Sequence, residues 1–167
     1  MNALPEGLTI RKADKTDYDQ IWEIIREAIS RGSTLAFTPD ASREEMLAFW
    51  CASYAHTYVA VMDEKTVGTF FIKANQPGLG AHIANAGYIT PVLAGGKGIG
   101  EAMCRFSLDE ARRLGYQAMQ FNLVVKSNTR AVKLWLRMGF EIIGEIPEAF
   151  NDINRGLTNA YIMYQKF

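Results

Sequence analysis

The chain has 167 residues, 49% of them hydrophobic and 22% charged, with Lys+Arg and Asp+Glu balanced at 18 each. That size suits one domain over 1–167 with a sizeable core, and the balance gives no electrostatic reason to expect a nucleic acid or an anionic membrane as partner. No apolar run is long enough for a bilayer span, the start MNALPEGLTIRKADK lacks the apolar stretch of a secretory signal, the lone Cys51 and Cys104 suit a reducing cytoplasm, and His56 and His82 have no neighbours at metal-ligand spacing, so no metal is expected.

Leu8–Ala13 alternates apolar and polar residues and reads as a short strand. Thr16 with Asp19 resembles an N-cap pair ahead of a helix over Tyr18–Ser30, where Ile21, Trp22, Ile25 and Ile29 recur at helical spacing. The small, polar segment Arg31–Asp40 reads as a loop. Ser42-Arg-Glu-Glu45 is a capping box opening a helix to about Ser53. Thr57–Met62, a turn at Asp63–Lys65 and Thr66–Ala74 make a hairpin. After the Pro/Gly loop Asn75–Gly80, Ala81–Thr90 is a strand. The pattern then predicts a helix over Ile99–Leu114, a strand over Ala118–Val125, a helix over Thr129–Met138 stopped by Gly139, and a strand over Glu141–Ile146. Phe150–Asn159 reads as a polar loop and Ala160–Phe167 as the closing strand. The predicted order is β-α-α-β-β-β-α-β-α-β-β, a mixed α/β sheet with about seven strands and four flanking helices.

The stretch 94-AGGKGIGEAM-103 carries four glycines, Gly95, Gly96, Gly98 and Gly100, between a strand and a helix. It is not the dinucleotide pattern GxGxxG, which needs a glycine at Glu101 or Met103. It is not a P-loop either, because Gly98 stands where Ser/Thr is required and Pro91 where the first glycine belongs. What remains is a glycine turn at a helix start, whose free N–H groups and dipole suit a phosphate or pyrophosphate. The alternative is a tight connection holding no ligand. Asn85 and Asn122 interrupt strand patterns that disfavour asparagine. Each either satisfies a local bulge or serves a site. Asn128 suits an N-cap for the helix at Thr129.

The stretch 95-GGKGIG-100 aligns with the acetyl-CoA signature [R/Q]xxGx[G/A], and 128-NTRAVKLWLRMGF-140 carries every anchor of NxxAxxL[Y/W]xxxGF. With the element order, these two motifs resemble the GCN5-related N-acetyltransferase (GNAT) superfamily over nearly the whole chain. The resemblance implies a mostly antiparallel sheet and an acetyl-CoA-dependent N-acetyltransferase working by direct thioester aminolysis. It implies a pyrophosphate site at Gly95, Gly96, Lys97, Gly98, Ile99 and Gly100, a pantetheine arm pairing with the strand edge at Tyr88, Ile89 and Thr90, and contacts from Asn128 and Trp135. Two positions depart from the pattern. Gly95 replaces the usual Arg or Gln, with Lys97 either supplying that charge or simply exposed. Trp135 replaces the usual proton-donating tyrosine and is expected to pack against coenzyme or core.

A further resemblance, to the proline-analogue (azetidine-2-carboxylate type) N-acetyltransferase branch, implies that Asn85 and Asn122 hold the acceptor amine in place of a carboxylate base. The acceptor is expected to be a small-molecule amine, with an amino acid or analogue suited by the pocket. Ser33, Thr34, Phe37, Phe150 and Asn151 are the candidate pocket residues on the flanking loops. Acetylation of a protein N-terminus or lysine, and a non-catalytic acyl-CoA-binding domain, are the competing readings. Family analogy also allows a homodimer.

Overall fold

The computed structural model describes residues 4–167. Its elements, in chain order, are strand β1 (Leu8–Lys12), helices α1 (Tyr18–Ser30) and α2 (Arg43–Trp50), strands β2 (His56–Met62), β3 (Lys65–Ala74) and β4 (Ile83–Ile89), helix α3 (Ile99–Arg113), strand β5 (Ala118–Val125), helix α4 (Thr129–Arg137), and strands β6 (Glu141–Asp152) and β7 (Gly156–Lys166). They form one seven-stranded sheet in the order β1-β2-β3-β4-β5-β7-β6. Every neighbouring pair runs antiparallel except β4–β5. The predicted element order and fold class are those observed.

The sheet's two faces carry two cores. On one, Tyr58, Phe70, Ile72, Met119 and Phe121 pack under Met103, Leu108 and Ala111 of α3 and Trp135 of α4. On the other, Val59, Phe71 and Ile89 meet Ile21, Ile25 and Ile29 of α1 and Met46 and Trp50 of α2. Strand alternation decides which side chain joins which core. Trp50 is satisfied inside its core, its indole N–H donating to Thr69 Oγ1 at 3.0 Å.

Several predicted boundaries shift, and two of the changes alter a reading. The approach to α1 is capped by Asp14 and Asp17, not by Thr16 and Asp19: the Asp14 side chain accepts from Thr16 N, and Asp17 from Asp14 N, across a short 3-10 turn. Asp17 is also held bidentately by Arg11, which draws its carboxyl below the usual range. The second correction is larger. Phe150 and Asn151 are not in a loop but in β6, which runs on to Asp152 and pairs Phe150 with Thr158 and Asn151 with Leu157. The predicted strand ends at Ile146, and there Pro147 and Glu148 form an irregularity before Phe150, with Glu148 at φ 50°. An edge strand tolerates such a break, because its outer N–H groups have no ladder to maintain. Among the described residues, no helix is long and apolar enough to cross a membrane.

Candidate active site

Strands β4 and β5 pair only at Ile83–Ala118 and Ala84–Met119 and then part. Asn85 marks the separation: its Nδ2 donates to the Gln120 carbonyl at 3.0 Å, so a side chain takes an acceptor next to the end of the ladder. β5 adds a bulge between Phe121 and Val124, which carries Asn122 and Leu123 and bends the strand. β4 meanwhile stays on β3 as far as Ile89. The result is a wedge-shaped cleft of about 820 Å³. Asn85–Thr90 form one wall, and Phe121–Val125 with Asn128, Leu134 and Trp135 form the other. Past Ala84 the β4 edge facing β5 has backbone groups outside the ladder, the kind of edge an extended ligand can join.

The cleft runs to the glycine turn. Gly96 and Gly98 have φ of 81° and 75°, a left-handed backbone that favours glycine. A Cβ on Gly96 would meet nothing within 4 Å, so that side of the turn lies open. Gly98 is the N-cap of α3 and makes no side-chain cap. The first N–H groups of this 15-residue helix therefore face the cleft without a capping oxygen. Gly95 differs: its φ of −65° and ψ of 148° suit any residue. Lys97 is exposed at the tip of the turn and does not line the cleft, whereas Arg130 of α4 does.

Tyr88 and Trp135 build the apolar wall. Trp135 is only 8% exposed and packs against Tyr88 and Phe121, with ring centroids 4.9 and 5.0 Å away. The Tyr88 hydroxyl lies 2.6 Å from Ser107 Oγ, and burial holds the phenol well above its usual range. Desolvation likewise pushes the Cys104 thiol up to about 12 and Cys51 up to about 11, so neither is a ready thiolate. Glu101, the one carboxylate lining the cleft among the described residues, is held low by Arg105 at 2.7 Å and also contacts Arg137 at 3.7 Å. Asn128 Oδ1 accepts from Ala131 N at 3.3 Å, so it does cap α4 while lining the cleft. Among the described residues, no group of three or more His, Cys, Asp or Glu is placed to hold a metal ion.

Alternation puts Lys73, Asn85, Gln120 and Asn122 on the face of α1 and α2, opposite Tyr88 and Phe121. There the amides form a chain. Gln120 Nε2 donates to Asn122 Oδ1 at 3.0 Å, and Asn122 Nδ2 to Asn75 Oδ1 at 2.7 Å. Lys73, paired in register with Asn85, holds its ammonium 4.6 Å from the Phe49 centroid and 5.5 Å from that of Phe71. Gly87 keeps this surface flat, because a Cβ there would meet Phe71 Cε1 at 2.7 Å.

Of the predicted pocket residues, Thr34 lines the cleft. Ser33 instead accepts from Asn154 at the tip of the β6–β7 hairpin, and Phe37 packs edge-on to Phe49 at 5.0 Å. Phe150 and Asn151 lie on the outer strand β6, with β7 between them and β5. Lys73, Gln120 and Arg130 carry no signal in the sequence, and Asn75 is marked there only as the first residue of the loop Asn75–Gly80, expected to flank the acceptor. Lys73 sits at the end of an ordinary strand pattern, and only the register brings it and Asn75 beside Asn85 and Asn122.

The family model of the acetyltransferase (GNAT) family matches residues 19–140. A protein named N-acetyltransferase aca1, from Schizosaccharomyces pombe, is 36% identical over 111 residues, which cover 65% of this chain and 53% of that protein. The match thus takes in about half the length of that relative. The L-methionine sulfoximine/L-methionine sulfone acetyltransferase of Salmonella typhimurium is 26% identical over 163 residues, covering 95% of this chain and 94% of that one. A solved GCN5-related N-acetyltransferase from Kribbella flavida superimposes with a TM-score of 0.93 and 38% identity, over 98% of this chain and 100% of that chain.

Proposed function

The chain belongs to the acetyltransferase (GNAT) family, and from that premise we propose that it is an acetyl-CoA-dependent N-acetyltransferase acting on a small amino-acid-like amine. One observation carries the reading: the cleft between the parted β4 and β5 ends on the uncapped start of α3. Its residues fit the donor. The N–H groups of the Gly96–Gly100 turn, with open space over Gly96, would hold the pyrophosphate. The free edge of β4 would pair with the pantetheine amides, and Asn128 and Trp135 would flank the arm. Bound acetyl-CoA supplies an acetyl group activated as a thioester. An N–H on the β4 edge near Tyr88–Thr90 polarises its carbonyl.

The acceptor is read from the α1–α2 face. Asn85 and Asn122 orient the amine through neutral amides. Lys73 stands on this face outside the cleft lining, its ammonium over Phe49, and with no carboxylate within 4 Å among the described residues it is the cation this face offers an acceptor carboxylate. The Salmonella relative, whose name gives amino-acid analogues as substrates, supports the same class. Among the described residues, the ionisable groups of the cleft are not poised as a base: the Glu101 carboxyl is held low and the Tyr88 phenol is pushed up. Water therefore takes the ammonium proton, and the thiolate leaves without a dedicated acid.

The test is release of free coenzyme A across matched acceptor pairs, each an amino acid and its decarboxylated amine, with peptides and protein lysines in parallel. Turnover favouring the amino acids is expected. Tight acetyl-CoA binding with no turnover of any amine would make this a non-catalytic binding domain, and preference for peptides would make it a protein acetyltransferase.

A further inference from the structure

The turn carries glycine at 95, where the family motif places an arginine or glutamine. The backbone does not require this glycine, since its φ of −65° is open to every residue. Space requires it. A Cβ built on Gly95 would lie 2.9 Å from Arg130 Nη1, 3.2 Å from Arg130 Nη2 and 3.1 Å from Val92 O. The guanidinium of Arg130, two residues past the N-cap of α4, fills the volume that a side chain at 95 would take.

The charges around the cleft single out the same group. Three arginines line it: Arg31, Arg130 and Arg137. Arg31 is paired with Glu27 at 3.3 Å, whose carboxylate also accepts from Val92 N. Arg137 is paired with Glu101 at 3.7 Å. Arg130 has no carboxylate within 4 Å among the described residues, although it stands over the anion-binding turn.

From these two observations we propose that Arg130 is the pyrophosphate-binding cation of this protein, reaching the turn from α4 in place of a side chain at 95. The absence of a side chain at Gly95 is what admits it. The inference rests on the coenzyme A reading of the cleft and adds the residue that supplies its positive charge. A guanidinium can donate two parallel N–H bonds to phosphate oxygens, which the turn's backbone can complement from its other side.

The test is equilibrium binding by calorimetry, with three probes: coenzyme A, dephospho-coenzyme A and pantetheine. Wild-type protein that binds no coenzyme A would remove the donor reading itself. Given wild-type binding, Arg130→Ala should weaken coenzyme A and dephospho-coenzyme A alike, by roughly ten-fold or more, the effect of losing a charge-assisted hydrogen bond. It should leave pantetheine unchanged. Arg130→Lys should recover part of the loss. Unchanged affinity, or a loss confined to coenzyme A with dephospho-coenzyme A unaffected, would overturn the inference; the second result would assign Arg130 to the 3′-phosphate. Gly95→Ala supplies a second measurement. It should weaken binding in the wild-type background by displacing the guanidinium and have little effect in Arg130→Ala. Additive losses would overturn the claim that Gly95 exists to admit Arg130. Arg130 is exposed, so its variants should keep the wild-type thermal midpoint.

Discussion

Asn85 donates from its side-chain amide to the backbone oxygen of Gln120, 3.0 Å away, one residue beyond the last pair joining β4 to β5. A side chain closes the seam there and leaves the rest of the β4 edge to a ligand. Asn85→Ala should therefore lower stability by ~1 kcal/mol, seen as a fall of roughly 2–4 °C in Tm. It should also lower kcat/KM for the acceptor. Unaltered Tm would mean that the amide is not what holds the seam.

Asn122 lies across the cleft mouth, linked to both Asn75 and Gln120. Its exposed position makes it a poor stabiliser, so a loss on substitution would report the proposed contact with the acceptor. Asn122→Ala should lower kcat/KM for the acceptor amine much more than for acetyl-CoA, with Tm nearly unchanged. Equal losses for the two substrates would sink its assignment to the acceptor.

Gly98 combines φ of 75° with the N-cap of α3. A β-branched valine is strained at this positive φ, so the turn that presents the N–H groups of α3 must distort to hold it. Gly98→Val should abolish measurable coenzyme A binding. Full affinity in this variant would refute the backbone cradle.

The elements that could be read from sequence were those with local signals. The helix α1 pattern, the Ser42 capping box and the glycine turn each lie within a few residues. β6 was misread past Ile146 because Pro147 resembles a strand end, and edge position, which excuses it, is not a local property. The site divides the same way. Gly96, Gly98 and Asn128 sit in contiguous motifs, whereas the contacts of Gly95 with Arg130 and of Asn75 with Asn122 span 35 and 47 residues and exist only after the strands are in register. Lys97, which the sequence leaves as either the replacement cation or an exposed side chain, is adjacent to the turn in sequence, whereas Arg130 is adjacent in space.

Away from the cleft, Glu110 accepts from Arg113 and from the Tyr58 hydroxyl, and the Arg113 bonds lead in drawing its carboxyl down to about 2. A carboxyl depressed in the folded state contributes stability that is present above its unfolded pKa of 4.5 and is lost as pH falls towards 2. Glu110→Gln should lower Tm at pH 7 and flatten the fall in Tm between pH 4.5 and 2. An acid profile identical to wild type would show that this pair does not contribute.

The pH dependence of turnover tests the absence of a protein base. The carboxylate lining the cleft, Glu101, is held below its usual range by Arg105, and the Tyr88 phenol and Cys104 thiol are raised by burial. None of the three changes charge between about pH 6 and 9, so the ionisation that governs acceptor kcat/KM should be that of the acceptor itself. The rate should rise with pH until the free amine predominates and then level off. Across a series of acceptors, the inflection should follow each amine's own pKa. Asn85→Ala should lower the plateau without moving the inflection, because a neutral amide orients the amine and carries no proton. An inflection near neutrality shared by all acceptors would instead require a titrating base on the protein and would remove the water-mediated route.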